Sequence, residues 1–469
     1  RRGQTGNRDN PVSGRVTGIA VAPGGNRVYM ATANGGVWRS DDRGRHWQAM
    51  DQLDASPVDN PLPGSAGGVS VGIRATGLDS QSCGAIAIDD AHPDIVYLGT
   101  GEANNLGADS FHGIGPLFSN DGGQSWRVER TIPANALFGQ SFFALAVDPT
   151  DGRVVVGGTD TGVFARDTAG VWNSVAPTGV AATVPTNGLI SGIAVAFAGG
   201  TRRFFAANVV GEVYACAGRP WVAGDWVALP KVPNMVTVPN KRDSLRLAIA
   251  ACRTNPDLLY AFDDEGRVYL STATGGVFAP WIRLAGEPAR DALVREQGSY
   301  DLVIQVAPDN PNRIYLGACA KEVSLNWAGA VYRCEVKPGQ RRLSATFIGN
   351  GVHSDCHALA MPADDSKQLW VGCDGGVYLA EDVEHGEEPF VPRNAGLGSP
   401  GMDEVRWLKP VRTGDRLRVR VTIAETRRSR SKPDRGSVLV QQEAINQNGE
   451  VVMTIKSWGM YLCRDPKAP

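Results

Sequence analysis

The residues best suited to metal binding or catalysis lie in one short segment, His353-Ser354-Asp355-Cys356-His357. Side chains alternate along a β-strand, so we expect His353, Asp355 and His357 to lie on one side of such a strand. Two imidazoles and a carboxylate on one surface are suited to binding a divalent metal ion or to acid–base catalysis. The alternative is structural, with the three side chains forming a hydrogen-bonded plug.

A second polar cluster begins in the segment that reads GTGEANN from Gly99 and continues through the following loop of the second repeat. Its candidate side chains are Glu102, Asn104, Asn105, Asp109 and His112. The carboxyl groups of Glu102 and Asp109, together with that of Asp355, suit glycoside hydrolysis if two of them are held about 5 to 9 Å apart. The alternative is a solvated polar loop.

These segments belong to a chain of repeats. A short phrase of small and branched apolar residues recurs seven times, and each copy predicts a strand that is buried on both faces. The copies read GIAVAP from Gly18, AIAID from Ala85, ALAVDP from Ala144, GIAVA from Gly192, LAIAA from Leu247, LVIQVAP from Leu302 and ALAMP from Ala358. A second and a third strand follow each copy, and a less regular fourth strand often contains Trp.

Four short antiparallel strands per repeat, joined by Gly and Asp turns, are typical of a β-propeller blade. We therefore predict an all-β fold, a seven-bladed β-propeller over about residues 12–394. In a propeller, the loops into each first strand share a face with the loops between second and third strands. The long segments predicted on this face are the insert Asp51 to Ser82, the loops Gly101 to Gly115 and Lys321 to Gly329, and the segment His353 to His357.

A sharper motif, Ser-x-Asp-x-Gly-x-x-Trp, lies between third and fourth strands. Its two intact copies are Ser40, Asp42, Gly44 and Trp47, and Ser119, Asp121, Gly123 and Trp126. The Ser and Asp side chains can bond backbone amides of the hairpin, Gly permits a positive φ, and the aromatic ring covers the edge of the sheet. We interpret these residues as structural.

With this motif the sequence resembles the Asp-box, or BNR-repeat, propellers related to sialidases. The phrases GTGEANN and HSDCHALAMP…GCDGGVYLA add to the resemblance, which implies the propeller fold and favours a secreted or periplasmic location. The repeat also occurs in xyloglucanase-like hydrolases, sorting-receptor ectodomains and photosystem assembly factors. Sialidases carry a Phe-Arg-Ile-Pro motif; because the nearest string here is Arg130-Thr131-Ile132-Pro133, in the wrong place, we do not expect sialidase activity.

Two functions follow from these candidates. The first is a binding or scaffold propeller that takes a glycan or protein ligand on the loop face. Its candidate ligand-binding residues are His353, Asp355, His357, Glu102, Asn105, His112 and Trp327. The second is a glycoside hydrolase, sialidase-like or xyloglucanase-like, that uses Glu102, Asp109 and Asp355 at the mouth of the channel. A channel filled by Trp327 or by the Asp51 to Ser82 insert would count against the hydrolase.

Composition limits the possible partners. The 47 Lys and Arg residues and 49 Asp and Glu residues give a formal charge of −2, so no global basic field attracts nucleic acid. No run approaches the roughly 18 to 20 apolar residues that cross a bilayer. Because Arg1 is not a Met and no apolar stretch follows, we expect a processed or trimmed chain.

The eight cysteines contain no CxxC pair, so we expect no four-cysteine zinc site. Cys356 and Cys373 sit at mirror positions about a predicted hairpin and are expected to be cross-strand neighbours. They form either a disulfide, which implies an oxidising compartment, or two buried free thiols.

The charge composition of the sequence changes after Asn394. We therefore predict a linker over 395–402 and a separate segment over 403–469. This segment holds 14 Lys and Arg and 8 acidic residues. The string GSPGMDEVRWLKPVRTGDRLRVRV…SRSKPDRGSVLV…NQNGEVVMTI resembles the C-terminal half of MaoC-like dehydratases, hotdog-fold enzymes that hydrate enoyl-CoA thioesters. The resemblance implies a partial hotdog sheet and, as a third and weaker function, CoA thioester chemistry.

The catalytic Asp and His of that family lie in a Gly-Asp-x-Asn-Pro-x-His phrase, which is missing here. Asp59-Asn60-Pro61 and Asp309-Asn310-Pro311 lack the following His. We therefore expect no hydratase activity from this chain alone. A sheet without its helix leaves an apolar face uncovered, which predicts packing on the propeller, pairing with another subunit, or a remnant of a gene fusion.

Overall fold

The computed structural model describes residues 14–50, 82–103, 112–175, 188–233, 235, 246–323, 326–385, 389–394, 401–410, 416–429 and 435–462. These residues separate into two compact units. The larger unit comprises Arg15–Gly44 and Gln48–Arg393, and the smaller is made up mainly of Asn394–Pro469. Both are built from antiparallel sheets, and the helices of the described residues are single 3-10 turns at Ala223–Asp225, Arg290–Ala292 and Pro338–Gln340.

The described part of the larger unit forms seven sheets. The first contains β1 (Val16–Val21), β2 (Val28–Thr32), β3 (Val37–Ser40) and β4 (Gln48–Ala49). The second contains β5 (Cys83–Ile88), β6 (Val96–Thr100), β7 (Pro116–Ser119) and β8 (Arg127–Val128). The third contains β9 (Arg130–Ile132), β10 (Phe142–Val147), β11 (Val155–Thr159), β12 (Gly162–Arg166) and β13 (Val171–Val175), where β9 pairs with β13 in parallel.

The remaining four sheets repeat the same order. The fourth contains β14 (Ile190–Ala198), β15 (Thr201–Asn208), β16 (Val213–Cys216) and β17 (Trp226–Ala228). The fifth contains β18 (Leu247–Cys252), β19 (Asn255–Asp263), β20 (Val268–Thr274), β21 (Val277–Phe278) and β22 (Ile282–Leu284). The sixth contains β23 (Leu302–Val306), β24 (Arg313–Val323), β25 (Asn326–Lys337) and β26 (Arg342–Phe347). The seventh contains β27 (Cys356–Ala360), β28 (Leu369–Cys373), β29 (Gly376–Ala380) and β30 (Phe390–Pro392).

The first strands of these sheets lie side by side in chain order around a central channel. Strand β27 then contacts β1, which closes the ring, and β30 gives the last sheet an outer strand of its own. The seven apolar phrases form these strands because each is covered by the neighbouring sheets. The predicted all-β propeller of four-stranded antiparallel blades is confirmed, and two of its sheets carry a fifth strand.

The cores between the blades are filled by large aromatic side chains, and three of the tryptophans make indole hydrogen bonds. Trp126, Trp172 and Trp226 are fully buried. Their indole N–H groups donate to Met50 O, Glu129 Oε2 and Pro220 O, at 2.9, 2.8 and 2.8 Å. A buried N–H without an acceptor would lose its hydration without compensation, so these bonds fix the outer strands.

The Ser-x-Asp turns are held by their own side chains. Ser40 Oγ accepts from the Gly44 amide at 2.8 Å, and Ser119 Oγ accepts from the Gly123 amide at 2.8 Å. Gly44 and Gly123 have φ of 72° and 85°, where a side chain would be strained. Ser40 and Ser119 also donate to Asp42 and Asp121. In this structure the motif closes hairpins.

Cys356 and Cys373 are register partners on β27 and β28, as neighbouring residues of a hairpin. Both are buried and carry free thiols. Of the two alternatives, the structure contains the pair of free thiols.

The smaller unit contains one sheet in the order β31 (Gly401–Trp407), β34 (Val451–Leu462), β33 (Arg435–Ile445) and β32 (Arg418–Arg428). Strand β31 begins inside the predicted linker, because Gly401 pairs with Trp458. Val419, Val421 and Ile423 share one face of the edge strand β32 and are 64%, 59% and 66% exposed. Pairing of this apolar row with another subunit stays a prediction.

Asp264 lies in the turn between β19 and β20 and provides a stability prediction. Burial, followed by the charge of Asp263, raises its pKa from 3.8 to about 7. The folded chain therefore binds this proton more tightly than the unfolded chain, and stability falls as the pH rises from about 4 to 7. Asp264→Asn removes this loss, so we expect its melting temperature relative to wild type to be higher at pH 8 than at pH 5. An equal difference at both pH values, in calorimetry, would contradict the prediction.

Candidate functional site

Polar side chains from several blades meet at one end of the channel. They follow second strands, precede first strands or, for His357, lie at the start of a first strand; these positions share a face because neighbouring strands are antiparallel. We call this group the mouth cluster; its members are Arg15, Glu102, Tyr300, Asp301, Asp355, His357 and Asp374. Arg15 precedes β1, Glu102 follows β6 and Asp374 follows β28, so the cluster depends on closure of the ring.

An arginine crosses one side of the mouth cluster. Arg15 Nη2 donates to Glu102 Oε2 at 2.7 Å, and Arg15 Nη1 donates to the Tyr300 hydroxyl. The Glu102 side chain is fully buried, whereas Arg15 is 17% exposed. Arg246 lies beneath, donating to Tyr300 O at 2.6 Å, and burial lowers its pKa to about 10. Two arginines, one of them paired with Glu102, thus line this side of the site.

His357 joins two carboxyl groups on the other side. Its Nε2 lies 2.9 Å from Asp374 Oδ1 and 3.5 Å from Asp301 Oδ1. The Tyr300 ring packs edge-on against the imidazole, with centroids 4.7 Å apart. Burial alone would raise the pKa of Asp374, but the His357 hydrogen bond and the charges of His357 and Arg15 outweigh it and lower that pKa. Asp374 is therefore held as a carboxylate, and it is 18% exposed.

Asp301 has the opposite electrostatic environment. Its side chain is fully buried. Burial first, and then the charge of Asp355, raise the pKa of Asp301 well above its ordinary value. Gln297 Nε2 donates to Asp301 Oδ2 at 2.8 Å and to Asp355 Oδ1 at 3.0 Å, which brings the two carboxyl groups together. A raised pKa at Asp301 beside a lowered pKa at Asp374 is an arrangement typical of acid–base sites.

The backbone does not place His353, Asp355 and His357 on one side of a strand. Strand β27 begins only at Cys356, and Asp355 has a φ of 66°, which breaks the alternation. The Asp355 amide donates to Cys319 O at 2.8 Å, which fixes this turn. His353 Nδ1 instead donates to Ser354 O at 3.1 Å. The expected alternation along a strand was wrong for these three residues, although the charges of both His353 and His357 act on Asp374.

The metal-binding interpretation of His353, Asp355 and His357 stays a prediction. Among the described residues, the His, Cys, Asp and Glu donor atoms that lie within 4.8 Å of one another belong to Asp301, Cys319 and Asp355. This group includes neither histidine.

The other predicted residues lie around the cluster. His112 is exposed, and its Nδ1 donates to Gly139 O at 2.8 Å. Trp327 is 51% exposed and does not fill the channel. Asn104, Asn105, Asp109 and nearly all of the Asp51 to Ser82 insert lie outside the described residues, so their roles stay predictions.

Sequence reasoning missed Arg15, Arg246, Tyr300, Asp301 and Asp374. Four of these directly or closely precede a first-strand phrase, and Asp374 lies in the second-to-third-strand turn of GCDGGVYLA. Comparing the repeats just before the first strand, and in the turn after the second strand, would have found these residues, because both positions lie on the loop face. Polar loops are common in propellers, so the residue types alone gave no signal.

The comparisons with known proteins bear on the two units differently. No family model matches the chain. A mesaconyl-CoA hydratase of Cereibacter sphaeroides is 38% identical over 81 residues, which are 17% of this chain and 23% of that protein. Among the described residues, no helix has the length and apolar character that crossing a membrane requires.

Solved propeller structures match much more of the chain. The GH74 enzyme of Niastella koreensis has a TM-score of 0.53 at 15% identity, covering 95% of this chain and 61% of that one. The GH74 xyloglucanase of Xanthomonas campestris has a TM-score of 0.49 at 16% identity, covering 81% of this chain and 54% of that one. The chain thus spans less than two thirds of either structure. The likeness to the Niastella enzyme shows the fold.

Proposed function

We propose that the larger unit is a glycoside hydrolase that acts at the mouth cluster. The observation that carries the proposal is that Asp301 and Asp374 both reach His357 Nε2 in environments that raise the pKa of the first and lower the pKa of the second. Glycoside hydrolysis uses one carboxyl group that gives a proton and one that is ionised. The propeller fold shared with a GH74 enzyme, and the resemblance to xyloglucanase-like hydrolases, support the same reaction class.

Each carboxyl group then has a role. Asp355 is only half-buried, so it delivers the proton of the Asp301–Asp355 pair to the glycosidic oxygen. Asp374, oriented by His357, acts as the nucleophile or base.

The pH dependence of hydrolysis tests these roles. Activity needs the proton of the Asp301–Asp355 pair, so the rate falls as the pH rises through the raised pKa of Asp301. The acidic limb lies below the ordinary range because the pKa of Asp374 is lowered. We expect wild type to release reducing ends from at least one member of a panel of xyloglucan and other β-glucans, with a bell-shaped pH profile.

Asp355→Asn provides the matched comparison for that assay. The amide cannot supply the proton, so we expect hydrolysis to be reduced about 10²–10⁴-fold and the alkaline limb to be lost. Equal reducing-end release by wild type and Asp355→Asn would refute the assignment of the proton donor.

A binding module is the second candidate, and one observation favours it. The side chains of Glu102, Asp301 and His357 have no solvent-exposed area, as expected of a structural network. In this case the loop face binds a glycan or protein without cleaving it. Calorimetric binding of a panel glycan without release of reducing ends would support the module.

For the smaller unit we propose a structural or subunit-pairing role. The match to a mesaconyl-CoA hydratase is short, and the Gly-Asp-x-Asn-Pro-x-His phrase is missing from this chain. Thioester hydration would therefore need a partner that supplies those residues. A secreted or periplasmic location suits a glycan-active propeller and is part of this proposal.

A further inference from the structure

One hairpin of the propeller is extended on the loop face. Strands β24 and β25 have 11 and 12 residues, whereas the corresponding β28 and β29 have 5 each. The additional pairs run to Glu322↔Trp327 and Val323↔Asn326, beyond an irregularity between Ala318 and Ala320. The extension carries the aromatic side chain of Trp327 beyond the ends of the neighbouring strands.

The aromatic side chain of this extension is supported from one side. The Arg295 guanidinium carbon lies 4.3 Å from the centroid of the Trp327 ring, in cation–π contact. The backbone of Arg295 is held in place, because its amide donates to Arg290 O at 2.8 Å in a turn where Arg295 has a φ of 52°. Trp327 nevertheless stays 51% exposed. A large exposed ring that is held in place loses little conformational freedom when a ligand binds it.

The supported ring lies on the same face of the propeller as the proposed proton donor, because Trp327 belongs to a hairpin between second and third strands and Asp355 precedes a first strand. The charge of Arg295 acts on the Cys319 thiol, and Cys319 Sγ donates to Asp355 Oδ1 at 3.4 Å. A chain that lies on the indole can place a neighbouring residue at the mouth cluster.

We infer that Trp327, backed by Arg295, is a binding subsite for one pyranose ring of a neutral polysaccharide. The C–H face of a pyranose is a flat apolar surface that matches an indole, while its hydroxyl groups stay hydrated at the rim. An acidic sugar is disfavoured because Asp374, a partly exposed member of the mouth cluster, is held as a carboxylate. The placement of this subsite beside Asp355 rests on the proposed hydrolase, whereas binding by Trp327 does not.

The test is isothermal titration of the full chain with a neutral xyloglucan heptasaccharide and with acidic trigalacturonate. We expect Trp327→Ala to weaken heptasaccharide binding at least about tenfold, since a central Trp commonly dominates an interface. Trp327→Phe should retain most of the affinity, and Arg295→Ala should give an intermediate loss. Val277→Ala, which removes another exposed apolar side chain, 74% exposed and on a different sheet, should bind as wild type does.

The outcomes separate the subsite from the hydrolase. Unchanged heptasaccharide affinity in a folded Trp327→Ala variant, no binding by wild type, or tighter binding of trigalacturonate would each overturn the subsite. Trp327-dependent binding without new reducing ends would uphold the subsite and refute the hydrolase. If hydrolysis occurs, Trp327→Ala should raise KM more than it lowers kcat; a wild-type KM would refute the subsite alone.

Discussion

Asp374→Asn is expected to reduce release of reducing ends by about 10²–10⁴-fold, the range that a positioned acid–base group contributes. The amide is uncharged and lacks the nucleophilicity of the carboxylate, while its size is nearly the same. His357 Nε2 now donates to Asp374 Oδ1 at 2.9 Å, and an amide oxygen can still accept that bond. The fold should therefore survive while the chemistry is lost, and binding of the heptasaccharide should change little.

Asp382→Asn is a matched control for this experiment. Asp382 is also an aspartate bonded to a histidine, with Oδ2 2.9 Å from His385 Nδ1. Both side chains are largely exposed, and neither belongs to the mouth cluster. We expect Asp382→Asn to hydrolyse as wild type does. Comparable activities of Asp374→Asn and Asp382→Asn would exclude Asp374 from catalysis.

Glu129→Ala should produce the largest loss of stability, about 3–5 kcal/mol, which is the usual cost of removing one partner from a buried ion pair. Glu129 accepts two bonds from Arg166, through Nε and Nη2, each at 2.7 Å. It also accepts the Trp172 indole N–H at 2.8 Å. Its removal leaves a guanidinium that is only 5% exposed without a counter-charge.

Calorimetry can measure this loss against Glu287→Ala. Glu287 pairs with Arg283 at 2.6 Å, but Arg283 is 56% exposed and stays hydrated when its partner is removed. We expect a melting temperature close to wild type for Glu287→Ala and one lower by several degrees for Glu129→Ala. Similar melting temperatures for the two variants would mean that Arg166 finds another partner or reaches solvent.

The strands and turns of the propeller were predictable because their signals are local. Each first strand needs a run of small and branched apolar residues, since neighbouring sheets cover both of its sides. Each Ser-x-Asp turn needs its Ser and Gly at fixed spacing, since Ser40 and Ser119 accept amides four residues ahead. Such patterns can be read without knowledge of the rest of the chain.

The candidate site was predictable only in part. The loop face was identified by topology, and Glu102, Asp355 and His357 are in the mouth cluster. Asp355 failed as a strand residue because its amide bonds Cys319 O, a contact between two different sheets that forces a positive φ. Alternation along one segment cannot anticipate such a contact.

The pattern of residues alone was enough to predict the class of fold, the repeat and the turn motif, because these depend on contacts within a blade. It also predicted the face that carries the long loops, because equivalent positions of the repeats lie on the same face. The tertiary structure decided which polar side chains meet. Arg15 and Asp374 come from opposite ends of the larger unit and act on one Tyr300 only because β27 packs against β1. The raised pKa of Asp301 was likewise decided by the fold, since burial and the charge of Asp355 act on Asp301 only where β23 and β27 pack against each other.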